Sequence, residues 1–457
     1  MKKIVFLCLI VLLACEVNVD SSNGNGGNGT TNDSTETFWA IKDFNDIQNL
    51  DSYYKVEAVK QYENNDVVIY VEKKNIKKVP EALAKKIGEE YSNTILPKVS
   101  DTFYPPSDVN KDGKMTLLYL DISEGLDGGG YVAGYFFNGN YYTENNATKN
   151  NIRSNYRDML YIDCVTQKNL DSPFQGLSTV AHELQHLVTF NYRVWTPFQN
   201  NQTQMKQLDF WISEGIAEQG SYTAFGYDGL YSRLFFLGRS DSFTEGRSMV
   251  YSTGTLESYA YSATYLNWVG QKSGNSKEFF NSVMKIQSGD ITGVANLLTG
   301  FEGSSAQEKF DRSFVEWAGK GLATGSGYVG LDEYFNKNSN LHKFNGIQLN
   351  KNYSANYAGY APVFHKNTVG TSITASGNNK LIDLSDSDLN IKSTVSLGEF
   401  NGLGYGVSLM YFPTLNKNET ENFSVPKTLS KVASRALKLS SPSNPVCVTP
   451  YIHIDVK

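Results

Sequence analysis

The chain has 457 residues, 40% of them hydrophobic, which is enough to bury a sizeable core and excludes disorder throughout. Its formal net charge of −6 supplies no basic footprint, so nucleic-acid binding is set aside, because backbone phosphates are held by clustered Lys and Arg. The 29 Tyr and 25 Phe point instead to sheet-rich structure with ordered surfaces.

Met1-Lys2-Lys3 and the apolar run 4–14 have the charged start and short hydrophobic stretch of an export signal, too short to span a bilayer. The run ends on Leu12-Leu13-Ala14-Cys15, which resembles the lipobox of bacterial lipoproteins. That resemblance implies a signal peptide over 1–14, an acylated Cys15, and a body anchored to a membrane outside the cytoplasm, facing periplasm or cell surface. The plainer alternative is an ordinary signal with a chance Cys. Residues 15–37 are mostly Ser, Asn, Gly and Thr and read as a flexible tether. With Cys8 in the signal and Cys15 lipidated, only Cys164 and Cys447 remain, as one bridge or as two buried thiols.

The fold class expected is α+β. Residues 38–170 form its first part, where Asp66 to Glu72 predicts a strand and 80–96 a helix with Leu83, Ile87 and Tyr91 on one face. Asp108, Asn110 and Asp112 then have the opening spacing of a Ca2+ loop. Tyr119 stands where an EF-hand needs Glu, and a tight turn explains the same residues. Met115 to Ile122 and Met159 to Cys164 predict further strands of a mixed sheet, and 128–135 is either an edge strand for an extended peptide or a Gly-rich bend. Residues 171–344 read as mostly helical, over 211–218, 258–269, 276–287 and 307–317. From 345 to 457, short Tyr-, Val-, Ile- and Ser-rich runs broken by Gly and Asn predict a C-terminal β-sandwich.

The chemistry is concentrated at His182-Glu183-Leu184-Gln185-His186. Two His four residues apart on a helix present both rings to one point, as a catalytic Zn2+ with an open coordination position requires. Taking Leu184 as zero, Leu177, Val180, Ala181, Leu187 and Val188 fall within about 60°, whereas His182 and His186 lie near about 160°. One face is therefore expected to pack and the other to look out. Glu183 would stand beside the metal as the base for its water. Downstream, Glu214 and Glu218 share one face of a second helix, Glu214 as third ligand and Glu218 as hydrogen-bond acceptor for a metal-bound His. A solvated carboxylate face is the bland alternative, weakened by the interleaved Trp211, Ile212, Ile216 and Ala217.

These two helices resemble the gluzincin metallopeptidases, and within them the hyicolysin family of secreted bacterial neutral metallopeptidases. The likeness is carried by DVNKDGKMTLLYLDI (108–122), Gly134-Tyr135-Phe136, RSNYRDMLYIDC (153–164), STVAHELQHLVTFN (178–191) and WISEGIAE (211–218), and covers about 55–345. It implies a gluzincin-like fold and a zinc endopeptidase acting on proteins or peptides. Ser213 departs from the Asn common before the ligand Glu, and the stretch from His186 to Glu214 is longer than in the thermolysin group, so an extra loop is expected. The resemblance also implies a Tyr or His that stabilises the oxyanion. Tyr259 is the first candidate and Tyr261 the second, with simple packing as the alternative; His342, His365 and His453 lack a convincing context. Competing readings are an inactive surface-binding or adhesin lipoprotein on the same fold, and an aminopeptidase. A monomer is expected.

Overall fold

The structure is a computed structural model that describes residues 34–122, 132–239, 248–251, 256–338, 355–358, 360–375, 377–402, 406–413 and 420–423. Strands β1 (Thr35–Ile41), β2 (Tyr53–Glu63), β3 (Val67–Glu72), β4 (Met115–Leu120), β5 (Gly134–Phe136) and β6 (Met159–Asp163) form one sheet, in the order β1-β2-β3-β4-β6-β5. β3, β4 and β6 are parallel neighbours, and the remaining pairings are antiparallel. The weak alternation of β3 and β4 has a direct cause, because both faces are covered. Val67, Ile69, Leu117 and Ile162 face the helices, while Val68, Leu118, Leu120 and Tyr161 join Phe38, Tyr53 and Phe137 on the other side.

Strands β1 and β2 were not expected. β2 does alternate, with Val56 and Ala58 buried and Lys55 and Glu57 exposed, but its Tyr and Lys content blurs the pattern. β1 also moves the boundary of the expected tether, since Thr35, Glu36 and Thr37 pair with β2 and Arg157 holds the Glu36 carboxylate. The signal segment, Cys8, Cys15 and Cys447 lie outside the described residues.

The helical layer comprises α1 (Glu81–Glu90), α2 (Leu96–Thr102), α3 (Glu144–Lys149), α4 (Gly176–Phe190), α5 (Thr196–Gln199), α6 (Phe210–Phe225), α7 (Tyr231–Arg239), α8 (Leu256–Lys272), α9 (Ser276–Met284), α10 (Ile291–Leu297), α11 (Ala306–Glu316) and α12 (Leu331–Lys337). A single π-turn, Tyr91–Ile95, joins α1 to α2 without a break. The helices expected at 80–96, 211–218, 258–269, 276–287 and 307–317 are present.

α6 packs between α4 and α8, and its small residues set how closely they approach. A Cβ on Gly220 would lie 2.7 Å from Gln185 Cβ and 3.0 Å from the Ala181 carbonyl oxygen. On the α8 side, a Cβ on Gly215 would come within 2.8 Å of Leu266 Cδ1. Gln219 bridges the same contact, donating to the Ala263 carbonyl at 2.8 Å and accepting from Asn267 at 3.0 Å. The extra loop between α4 and α6 is tied down by buried Arg193, which donates to the Met284 and Ile286 carbonyls at 2.7 and 2.8 Å and also to that of Lys206. No helix among the described residues is long and apolar enough to cross a membrane.

The C-terminal strands are β7 (Ala355–Ala358), β8 (Val363–Asn367), β9 (Ser372–Thr374), β10 (Lys380–Asp383), β11 (Thr394–Ser396), β12 (Gly406–Tyr411) and β13 (Thr420–Phe423). Among the described residues they form a three-stranded sheet, β10-β12-β8, and the ribbons β11-β9 and β13-β7. The β11-β9 ribbon shares a small core with that sheet through Val363, Leu381, Val395 and Met410. A second set of side chains is continuous with the helical core: Tyr360 packs edge-on against Phe310 at 4.9 Å, and Tyr411 meets Phe314 at 5.4 Å.

Gly to Ala in a helix ordinarily stabilises by roughly 0.5–1 kcal/mol. At Gly220 the sign is expected to invert, with Gly220→Ala destabilising by about 1–3 kcal/mol through the clash with α4. Denaturant unfolding of the two proteins measures it, and a rise in stability would contradict the close approach.

Candidate metal centre

α4 carries His182 and His186 one turn apart, and α6 brings Glu214 to the same point. His182 Nε2 stands 3.1 Å from His186 Nε2, and Glu214 Oε2 is 3.3 Å from the first nitrogen and 3.4 Å from the second. Ligands about 2.0–2.1 Å from a tetrahedral zinc ion stand about 3.3 Å from one another. The three spacings are therefore those of donor atoms able to share one metal ion. Among the described residues, this is the cluster of three His, Cys, Asp or Glu side chains able to hold a metal.

The expected exposure of the ligand face is corrected. His182 and Glu214 are 2% exposed and Glu183 and His186 0%, because α6 covers the face of α4 that the sheet leaves open. Both faces of α4 are packed, so polarity marks the site helix where exposure does not. Burial in an apolar layer penalises ionised groups, and the cluster compensates by mutual pairing. Burial opposes a charge on His182, but its hydrogen bonds to Glu214 and Glu218 and the charges of Glu218 and Glu183 outweigh it and raise the imidazole to about 10. Burial likewise opposes ionisation of Glu214, while His186 and His182 hold it down at about 2.

Glu218 Oε1 lies 3.3 Å from His182 Nδ1. What sequence reasoning missed is Arg233 of α7, whose Nε and Nη2 donate to that same oxygen at 2.9 and 2.7 Å. Burial works against the Glu218 charge, and Arg233 and His182 keep its carboxyl below the usual range. The Arg233 guanidinium lies over the Tyr259 ring at 5.1 Å, which extends the support to α8. No sequence signal distinguishes Arg233, since a lone Arg on a short helix reads as surface.

Tyr259 thus reaches the site through Arg233, and its ring also meets Phe210 edge-on at 5.8 Å. Tyr261 is turned into the helical core against Trp317, at 6.0 Å. His365 is buried in β8 opposite Ser408, where burial lowers it to about 4; His342 and His453 lie outside the described residues. Ser213 is buried beside Glu214. Cys164 is buried at the end of β6, and that burial pushes its thiol up.

In the loop Asp108 to Gly113, side-chain carboxylates close on nearby donors. Asp112 accepts from Asn110 at 2.7 Å and from the Lys114 amide at 2.8 Å, and Asp108 accepts from the Gly113 amide at 3.2 Å. These contacts close a turn through its side chains.

Of the Gly-rich stretch 128–135, residues 128–131 are outside the description, and Gly134 and Tyr135 begin β5 at the end of the sheet. A Cβ on Gly134 would lie 2.8 Å from Thr179 Cγ2, 2.9 Å from the Tyr161 carbonyl oxygen and 3.3 Å from Glu183 Cγ. The edge strand consequently passes directly alongside Glu183. Only a glycine allows that approach.

Two helices delivering two imidazoles and one carboxylate to a point, with an acidic residue next to the first imidazole, define a candidate mononuclear centre of the two-histidine, one-carboxylate class. The chain is similar to a neutral metalloprotease, ShpI, of Staphylococcus hyicus, with 29% identity over 210 residues. The similarity spans 44% of this chain and 45% of that protein, so less than half of the relative's length is covered. No protein-family model matches the chain.

Arg233→Met would leave Glu218 buried without its cation and free to turn from His182. Metal affinity is expected to fall about 10–100-fold, with Arg233→Lys intermediate. Competition with a chelating dye, run beside a melting curve, separates this loss from unfolding.

Proposed function

We propose that this protein is a zinc-dependent endopeptidase of the gluzincin type, related to the hyicolysin family, exported and held at a membrane by a lipid on Cys15. The observation that carries the reading is the spacing of His182 Nε2, His186 Nε2 and Glu214 Oε2 beside Glu183. The similarity to a neutral metalloprotease supports hydrolysis of proteins or peptides.

A zinc ion held by these three residues supplies Lewis acidity, polarising a peptide carbonyl and making water acidic enough to lose a proton near neutral pH. The chain's own residues do the rest. Glu183, packed against β5, takes the proton of the attacking water and passes it to the leaving amine. Glu218, fixed by Arg233, accepts from Nδ1 of His182 and so keeps Nε2 turned toward the metal. A substrate strand laid along β5 brings its carbonyl to the site through backbone hydrogen bonds. For the oxyanion, Tyr259 is favoured over Tyr261 because it contacts Arg233, while Tyr261 packs on Trp317.

Glu183→Gln is expected to retain one zinc per chain and to lose casein and peptide cleavage by at least about a hundredfold. Metal analysis together with an assay on the same preparation checks both halves. Zinc without cleavage in the unaltered protein would move the reading to a binding lipoprotein, and absence of zinc would remove it.

Tyr259→Phe keeps the ring under Arg233 and removes only the hydroxyl. A loss of about 10²-fold in kcat with unchanged metal affinity is expected, against a near-normal Tyr261→Phe. Equal rates for all three proteins would return Tyr259 to packing.

A further inference from the structure

A cavity of about 400 Å³ opens beside the metal centre, with His182 and Glu218 in its wall. It begins at His182 and runs toward the start of α4, past Thr179, Ser178 and Gln175, which share the His182 face of that helix. At 1.5 Å per residue, Ser178 is about 6 Å and Gln175 about 10 Å along the axis from His182. Thr179 also touches the place where β5 passes Glu183, so the cavity adjoins the edge strand. Extended peptides direct alternate side chains to opposite sides, and one beside the reacting carbonyl would enter here.

The wall has a definite chemistry. Among the described residues it contains no Leu, Ile, Val or Met, and its apolar part is the tilted aromatic pair Phe174 and Tyr231, with centroids 4.8 Å apart. Of the hydroxyls that line it, those of Ser178, Ser221 and Thr179 have their protons committed inside the protein. Ser178 donates to the Gln175 carbonyl at 2.7 Å, Ser221 to the Ser178 carbonyl at 2.8 Å, and Thr179 to Gln167 Oε1 at 3.2 Å. Each retains oxygen lone pairs and is therefore an acceptor. Gln175 uses its oxygen to accept from the Asn169 amide at 3.1 Å, which leaves its NH2 group as a donor. The Arg233 and Glu218 charges in the wall are paired with one another.

We propose that this cavity is the side-chain subsite of the peptidase and selects a primary amide, so that the substrates are peptides with Gln or Asn next to the bond cut. This rests on the peptidase reading above. An amide NH2 satisfies the hydroxyl acceptors, and its carbonyl accepts from Gln175. An aliphatic side chain would desolvate these groups without replacing their hydrogen bonds. A Lys or Glu side chain would be buried without a free counter-charge.

The test measures binding and cleavage separately. Hydroxamate-capped amides of Gln, Leu and Lys are titrated by calorimetry into the zinc-loaded full chain, the hydroxamate anchoring each probe at the metal. The Gln probe is expected to bind at least about tenfold more tightly than the other two. Ser178→Ala, checked for an unchanged melting temperature and zinc content, is expected to reduce that advantage. A Leu or Lys probe binding as tightly as Gln overturns the subsite, and so does a full Gln preference in Ser178→Ala. Casein cleavage is followed in parallel. Gln preference without cleavage removes the peptidase and keeps the amide pocket, whereas cleavage without preference removes the pocket alone.

Discussion

The separation of α4 from α6 is the constraint on which the site depends. Two of the three donor atoms belong to one helix and the third to the other, and their spacings of 3.1 to 3.4 Å leave no slack for a helix displaced outward by a side chain. Gly220 supplies the clearance against α4, and Gly215 does the same against α8. Packing and coordination geometry are thus one problem with one solution. A side chain at Gly220 would press α6 away from α4 and draw Glu214 away from the two imidazoles.

Around this pair, support is arranged in successive layers. Tyr259 carries Arg233, Arg233 fixes Glu218, and Glu218 orients His182, so residues of α4, α6, α7 and α8 meet in one buried path. A buried ion pair costs desolvation and adds little net stability, but it leaves its members few alternative positions. That trade suits a site whose ligands must already be in place before a metal arrives.

Much of this was legible in the sequence because the decisive spacings are local. Four residues between His182 and His186, and between Glu214 and Glu218, place each pair on one helical face whatever the rest of the fold does. The strands β3, β4 and β6 were legible as apolar runs of the right length. Partners brought from elsewhere were not. Arg233 carries no local signature, Gly134 and Gly220 matter only through the atoms they approach, and β2 hides a regular alternation under Tyr and Lys. The helical wheel separated the two faces of α4 correctly, yet polarity did not translate into exposure because a second polar face on α6 meets the first.

The C-terminal strands have one consequence for how this chain can be divided. Tyr360 and Tyr411 rest on Phe310 and Phe314 of α11, in the same core that reaches Tyr265 and Trp317 and thence the back of α8. A cut made after α12 would therefore strip an aromatic layer from the helices instead of releasing an independent module. Tyr360 and Tyr411 thus make this part of the terminal sheet an outer wall of the helical core.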